Sequence, residues 1–521
     1  MTLLSSESPA VTVREIDLTG IVPAVTSTTG AIVGEFNWGP INTPILIGNE
    51  SELASTFGSP LAGDAYAGDF LSTSYFLKYS SSAFVVRADR PDIAAVLDSD
   101  GTEVTPAYPG YRKSSAGIFE AKYFGELGNT ITVSVADASS FSTWEFEGFF
   151  TTAPIGDELH VIVTLGYVSG SDLGDVVETY EFVSTDPNAK NPNGTNNFTN
   201  DVINAGSSWI SASGVPAAGT NTLIGGSDGT LVETVTAYVS AYDAFLNKEA
   251  IQLDFLIPPA GGQDVVSTVH QKLVEIATSR KDCVAVISPT TGDVDSMISY
   301  VDTLAQNSSY LIVDGNWFKV YNKYQDKYEF IPAASSTAGV MAAADAVSAP
   351  WFSPAGSRRG QYLGVTELLI NPSKTERDKL YKKGINPIVS IPGQGVILFG
   401  DKTHQSRPSA FDRINVRRLF LVIERAISKA GENVMFEFND EFTRAEFVNI
   451  VEPFLREIQG RRGITDFRVV CDDTNNTAEV VDRNEFIATC FIKPARSINY
   501  VTLNFVAVRT GVEFEEVVGT V

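Results

Sequence analysis

The feature that most constrains the fold is a regular alternation of helix-like and strand-like segments in residues 231–400. Continuous apolar runs alternate there with longer amphipathic stretches. This repetition is typical of parallel strands covered by helices, so it predicts a partly parallel α/β core. The predicted helices are 231–246, 264–279 and 294–305, and the predicted strands are 251–257, 283–288 and 310–314.

An earlier segment also alternates strand-like and helix-like stretches and is predicted to join that core. Residues 29–58 read as strand, turn, strand and helix, with Gly39-Pro40 at the turn and Asn49 or Ser51 as the helix cap. A helix at 65–79 and a strand at 83–89 follow.

Composition changes between residues 98 and 222, which are rich in Ser, Thr, Gly, Asn and Asp. Alternating strands are predicted at 130–137, 160–168 and 177–184. The shift predicts a separate, mostly β domain inserted into the core.

A chain of 521 residues exceeds what one core usually holds, so several domains are expected. The predicted fold class is α/β (α+β) multidomain, with a mixed-sheet core, a mostly β insertion and extended terminal β arms. The predicted regions are an N-terminal arm (1–20), a first core segment (21–97), the inserted domain (98–222), a second core segment (223–400), a C-terminal domain (401–508) and a C-terminal arm (509–521).

The net charge of the chain limits the kinds of molecule that it is expected to bind. The chain has 63 acidic and 38 basic side chains, a formal net charge of -25. Such a field repels phosphate, which argues against direct binding of nucleic acid or an anionic membrane. We read no transmembrane run and no signal peptide. Three cysteines without CxxC spacing fit assembly in a reducing cytosol.

One short motif offers a catalytic alternative. Residues 225–229, GGSDG, match the G-x-S-x-G pattern of an α/β-type serine hydrolase, with Ser227 as nucleophile and Asp314 and His404 as acid and base. The competing interpretation is a glycine-rich linker at a domain exit. The histidines lack the spacing of a metal site, so we expect neither a metal nor a cofactor.

Basic residues cluster late in the chain, at 413–420 (RINVRRLF) and 456–462 (REIQGRR). Two interpretations stay open for both clusters. They could dock an acidic face of a neighbouring molecule, or they could be ordinary helix-surface charge.

Both chain ends are short, β-prone and in need of a pairing partner, because an unpaired strand invites aggregation. The apolar positions are Val11, Val13 and Ile16 at the start, and Val512, Phe514, Val517 and Val518 at the end.

Several long motifs occur in an order that resembles the tail sheath proteins of contractile phage tails. The similarity covers the start and nearly all of the second half, but not residues 98–222. The motifs are TGAIVGEFNWGPINTPILIGNESELASTFG (29–58), APWFSPAGSRRG (349–360), LYKKGINPIVSIPGQGVILFGDKT (380–403), INVRRLFLVIERAI (414–427) and CDDTNNTAEVVDRNEFIATCFIKPARSINYVTLNF (471–505).

The resemblance implies a structural protein, not an enzyme. It implies homo-oligomeric, six-fold rings stacked helically around an inner tail tube, with baseplate and tail terminator proteins as further partners. Contraction would drive the tube through the target envelope and deliver the genome. The protein would be assembled in the host cytoplasm and reside in the virion tail. The sheath of a related injection machine, such as a phage-tail-like bacteriocin, is a third interpretation.

The resemblance also assigns roles to residues. The two terminal arms would add strands to a sheet in neighbouring subunits, with Gly511 as a hinge. A helix at 443–458 would face the tube through exposed Arg444, Glu446, Arg456 and Glu457. The alternative for that helix is an ordinary solvated face.

Overall fold

The computed structural model describes residues 28–60, 67–88, 96–97, 103–104, 115–170, 172–226, 235–260, 263–290 and 292–498. Within these ranges the chain forms several sheets flanked by helices. The predicted mixed α/β multidomain class is confirmed.

The first region of the chain supplies one edge of the main sheet. Asn49 caps its first helix, because its side chain accepts a hydrogen bond from the Glu52 amide. The elements are β1 (Gly30–Gly34), β2 (Ile45–Ile47), α1 (Glu50–Phe57), α2 (Ala67–Leu77), β3 (Ala83–Arg87), β4 (Val96–Leu97) and β5 (Glu103–Val104).

The next region is mostly β and contains antiparallel sheets. Its elements are β6 (Ser115–Ala116), β7 (Phe119–Ala121), β8 (Ile131–Ala136), β9 (Glu158–Leu165), β10 (Asp175–Ser184), α3 (Thr199–Gly206), β11 (Ile210–Ala212) and β12 (Gly219–Thr222). Short 3₁₀ turns occur at Glu126–Thr130, Phe141–Thr143 and Glu147–Phe149.

The central region alternates helix and strand as its sequence pattern predicts. Its elements are α4 (Val235–Asp243), β13 (Phe255–Ile257), α5 (Gln263–Arg280), β14 (Val284–Ile287), α6 (Val294–Leu304), β15 (Leu311–Asp314), β16 (Trp317–Asn322), β17 (Lys327–Pro332), α7 (Ala334–Val347), β18 (Glu367–Leu368), α8 (Lys374–Lys382), β19 (Ile385–Asn386), β20 (Ile388–Ile391) and β21 (Gly395–Leu398).

The last region is built on two long helices. After a 3₁₀ turn at Ala410–Asp412, its elements are α9 (Ile414–Glu432), α10 (Glu441–Gly460), β22 (Ile464–Val470), α11 (Ala478–Asp482) and β23 (Thr489–Pro494).

The main sheet has seven strands in the order β19-β15-β14-β13-β1-β3-β2. Its strands pair in parallel except β2, which pairs antiparallel with β3. Since β1 pairs with β13, the chain leaves this sheet after β3 and returns to it through β13. Residues 131, 133, 161 and 163 belong to a separate buried core on the excursion between them.

Two contacts tie that excursion to the main sheet. The indole of Trp38, from the loop after β1, stacks on Trp209 with ring centroids 5.2 Å apart. The Arg87 guanidinium, at the end of β3, is fully buried and donates to the carbonyls of Gly39 and Phe124 at 3.2 and 3.0 Å.

Candidate assembly site

The last region of the chain forms a unit in which α10 packs across the β22–β23 pair. Phe447, Val451, Leu455 and Ile458 project from one side of α10 into a shared apolar core. Their spacing of three and four residues is that of one helix face. The same core receives Leu419 and Ile423 from α9.

The β22–β23 pair presents two different faces. The cross-strand pairs Phe467–Ile492 and Val469–Cys490 pack against the α10 core. On the other face Lys493 forms an exposed ion pair of 2.8 Å with Asp466.

Among the residues that the structure describes, neither β22 nor β23 pairs with a third strand. Within the described residues, each strand therefore has an outer edge whose backbone groups could accept an added strand.

The predicted arms and hinge lie outside the described residues. These are Val11, Val13 and Ile16 of the N-terminal arm, Val512, Phe514, Val517 and Val518 of the C-terminal arm, and Gly511. The last described residues, 495–498, follow directly on β23.

Three of the four side chains proposed to face the tube lie on the solvent side of α10. Glu446, Arg456 and Glu457 are exposed. Arg456 is 72% exposed and lies 3.6 Å from Glu452 one turn earlier, and Glu457 lies 3.5 Å from Arg461. These surface pairs are weak and leave the charges available to another molecule.

The expectation of an exposed Arg444 is wrong. Its side chain is only 9% exposed, donates to Asn439 at 3.0 Å, and pairs with Asp473 at 2.6 Å. Arg444 lies three residues before Phe447 on the buried side of α10, and its guanidinium pairs there with the exposed Asp473.

Neither interpretation of the 413–420 cluster is correct, because its arginines bind within the chain. Arg413 pairs with Asp401 at 3.0 Å, and the Arg417 guanidinium lies between the rings of Tyr310 and Phe411. Arg418 forms a buried pair with Asp345; both side chains are 4% exposed.

Arg425, which the sequence pattern did not single out, extends this set along α9. It pairs with Asp254 at 2.8 Å and donates to the carbonyls of Leu253 and Asp282, just before β13 and β14. Burial raises the pKa of Asp254, and Arg425 opposes that shift. The seven-residue spacing of Arg418 and Arg425 was the available signal, since it places both on one helix face.

Ser227, the proposed hydrolase nucleophile, lies outside the described residues. Its proposed partners, Asp314 and His404, each bond to other groups. The Asp314 carboxylate accepts from Ser288 and Thr337 at 2.7 and 2.8 Å. The ring of His404 instead faces the Gly384 carbonyl. Burial raises the pKa of Asp314 to about 7 and lowers the pKa of His404.

Two other kinds of site are absent from the described ranges. No cluster of His, Cys, Asp and Glu side chains there is arranged to hold a metal ion. Among the helices of those ranges, none combines the length and apolarity needed to span a bilayer.

Three family models match this chain. Residues 27–88 match the N-terminal region of domain III of the tail sheath protein Gp18, 232–404 match the phage tail sheath protein central domain, and 406–507 match the phage tail sheath C-terminal domain. The tail sheath protein of Salmonella phage ViI is 31% identical, over 98% of each chain. That of Enterobacteria phage T4 is 30% identical over the whole of both chains.

The chain belongs to the phage tail sheath protein family. It is a subunit of a contractile tail sheath, a structural component of the virion tail, and the predicted resemblance is confirmed. The serine hydrolase alternative has no support.

Solved sheath proteins share the fold. The sheath tail protein of Listeria innocua superposes with a TM-score of 0.59 at 15% identity, covering 91% of this chain and 93% of that one. The helical sheath of the anti-feeding prophage in its contracted state gives 0.57 at 13% identity, covering 96% and 99%.

Proposed function

We propose that this sheath subunit polymerises into stacked six-membered rings around an inner tail tube and contracts to drive the tube through the target envelope, delivering the genome. The observation that carries the proposal is the full-length similarity to phage tail sheath proteins. The fold shared with a helical sheath in the contracted state supports it.

In the proposed lattice, β22 and β23 are the acceptors for the arms of neighbouring copies. Their outer edges offer backbone hydrogen bonds, and their buried face already rests on α10. Residues 9–17 and 512–521 would add strands there. Links made of backbone hydrogen bonds can persist while subunits rotate about the arms, with Gly511 as one hinge.

The extended sheath in this proposal is a kinetically trapped state. Head-to-tail contacts that do not close on themselves build a helical assembly. Assembly on the tube would hold the subunits in a state of higher free energy until the baseplate lowers the barrier to rearrangement. No enzymatic step is included in this mechanism, in keeping with relatives named only as sheath proteins.

The remaining partners follow from the position of the subunit in such a tail. We propose that Glu446, Arg456 and Glu457 on the solvent side of α10 contact the inner tube. Baseplate and tail terminator proteins would bind the two ends of the stack, and assembly would take place in the host cytoplasm. Relatives from phages favour a phage tail over a bacteriocin-like machine.

Removal of residues 512–521 tests the proposal. The truncated chain should remain folded and monomeric but should not polymerise, because the added strand is lost. Sedimentation velocity and negative-stain electron microscopy would measure this, with the variant Glu513→Gln/Glu515→Gln as a control that keeps the strand. Normal tubes from the truncated chain would refute the arm assignment.

A further inference from the structure

An exposed apolar surface lies at the turn between α9 and α10. We call residues 435–442 the aromatic turn. Phe436 is fully exposed, Phe438 and Phe442 are 84% and 76% exposed, and Met435 is more than half exposed. A free monomer rarely leaves so many neighbouring large apolar side chains in water, so this surface is suited to a protein contact.

The backbone of the aromatic turn is also unusual. Phe436 has a φ of 71°, a left-handed conformation that is strained for a residue with a Cβ. Asn439 holds the turn in place by donating to the carbonyl of Glu485 at 2.8 Å. The exposed rings are therefore displayed by an anchored turn.

Exposed carboxylates neighbour these rings in the sequence. Glu432, Glu437, Asp440 and Glu441 are all exposed, and Asp440 caps α10 through the Thr443 amide. Acidic residues at a helix start are ordinary, because they complement the helix dipole. The helix dipole does not explain why the aromatic rings are exposed. Exposed rings together with carboxylates would suit a partner surface that has basic side chains around an apolar centre.

Exposed arginines beside one exposed apolar side chain lie at the other end of α10. We call Arg461, Arg462 and Val347 the basic end. Arg461 lies over the Trp351 ring at 5.0 Å and donates to the Ser348 carbonyl, which places it beside Val347, 80% exposed at the end of α7. Arg462 makes no ion pair with any described residue.

We propose that the aromatic turn of one subunit docks on the basic end of a second copy of this chain. The inference deepens the proposed sheath function and rests on it. The two surfaces lie at opposite ends of a 20-residue helix, about 30 Å apart, so they do not meet within one subunit. A contact between unlike surfaces is heterologous, and it propagates head to tail into a ring or a helix.

Charge reversal tests the contact in the full-length chain. Glu437→Arg/Glu441→Arg should raise the concentration needed for polymerisation by about tenfold or more, because each junction then opposes like charges. Adding Arg461→Glu/Arg462→Glu to the same chain should restore polymerisation. The matched control Glu120→Arg/Glu147→Arg, in the mostly β region, should polymerise like the parent.

Cysteine cross-linking then identifies the occupant. Chains carrying Phe438→Cys are mixed with differently tagged chains carrying Arg462→Cys, with each single variant alone as the control for the native cysteines. The proposal predicts disulfide-linked heterodimers in the mixture. If wild-type chains polymerise but no heterodimers form, or if the four-residue variant is not rescued, the docking is refuted. If wild-type chains do not polymerise at all, the sheath function itself fails.

Discussion

At the residue scale, buried arginines make contacts between regions of this protein that lie far apart in the sequence. Arg418 and Arg425 each pair with a largely buried carboxylate, and Arg87 donates to two backbone carbonyls. Replacing one partner of such a pair leaves an uncompensated buried charge, which is strongly destabilising.

The burial of one arginine could have been predicted from the sequence. Arg444 stands on the 447–451–455–458 stripe of α10, so its burial could have been predicted from helical spacing. The partners of Arg418 and Arg425 could not, because Asp345 and Asp254 are 73 and 171 residues away in the chain.

Asp314 makes stability depend on pH. Its pKa is raised from 3.8 to about 7 by burial, although Ser288 and Thr337 donate to it. Between these pH values the folded chain keeps a proton that the unfolded chain has lost. Stability should therefore fall as pH rises from about 4 to 7, by up to about 1.4 kcal/mol per pH unit, and then level off.

The variant Asp314→Asn should lose that component of the pH dependence. Hydrogen exchange of peptides covering β15 and α7, measured between pH 5 and 8 and corrected for intrinsic rates, would show it as slower opening in the variant at pH 8. Asp378→Asn, at an exposed carboxyl, is the control and should behave like the parent. Equal pH dependence in all three proteins would contradict the buried-carboxyl account.

At the scale of elements, α9 is the element shared by two cores. Ile414 and Leu421 pack with the main sheet, and Leu419 and Ile423 pack with α10. Together with Arg418 and Arg425, these contacts join the last region of the chain to the central sheet. We therefore expect both regions to rotate as one body during contraction.

Substitutions on the two faces of α9 should loosen different cores. Leu419→Ala and Leu421→Ala should each cost about 2–5 kcal/mol, because each leaves a cavity. In hydrogen exchange, Leu419→Ala should speed opening mainly in α10 and β22, and Leu421→Ala mainly in α7 and β13. Ser428→Ala, on the exposed face, should change neither region. The same pattern of opening in both leucine variants would contradict the two-core description.

Helices and strands with a clear periodicity of apolar residues were predictable from the sequence, and the shortest elements were not. The predicted helix at 264–279 is α5, and the predicted strand at 310–314 is β15. The sequence pattern did not reveal α8, although Ser373 and Glu376 form a capping box at its start. The two-residue strand β19 has no period to detect, because its pairing with β15 depends on the tertiary fold.

At the scale of the whole molecule, one part of the chain matches the family models and another part does not. Residues matched by the family models form the main sheet and the α9–α10 unit, whereas residues 89–231 match none of those three models. Residues 115–226 of this excursion carry 13 acidic and two basic side chains. We propose that this acidic excursion can change without disturbing the lattice contacts at the other end of the chain.

Strand donation by the chain ends is tested most directly by a cryo-electron microscopy reconstruction of the assembled sheath at a resolution that traces each chain. We predict that residues 9–17 and 512–521 of each subunit form strands along the outer edges of β22 or β23 in neighbouring subunits. A reconstruction in which both ends pair only with their own subunit, while the rings still stack, would contradict it.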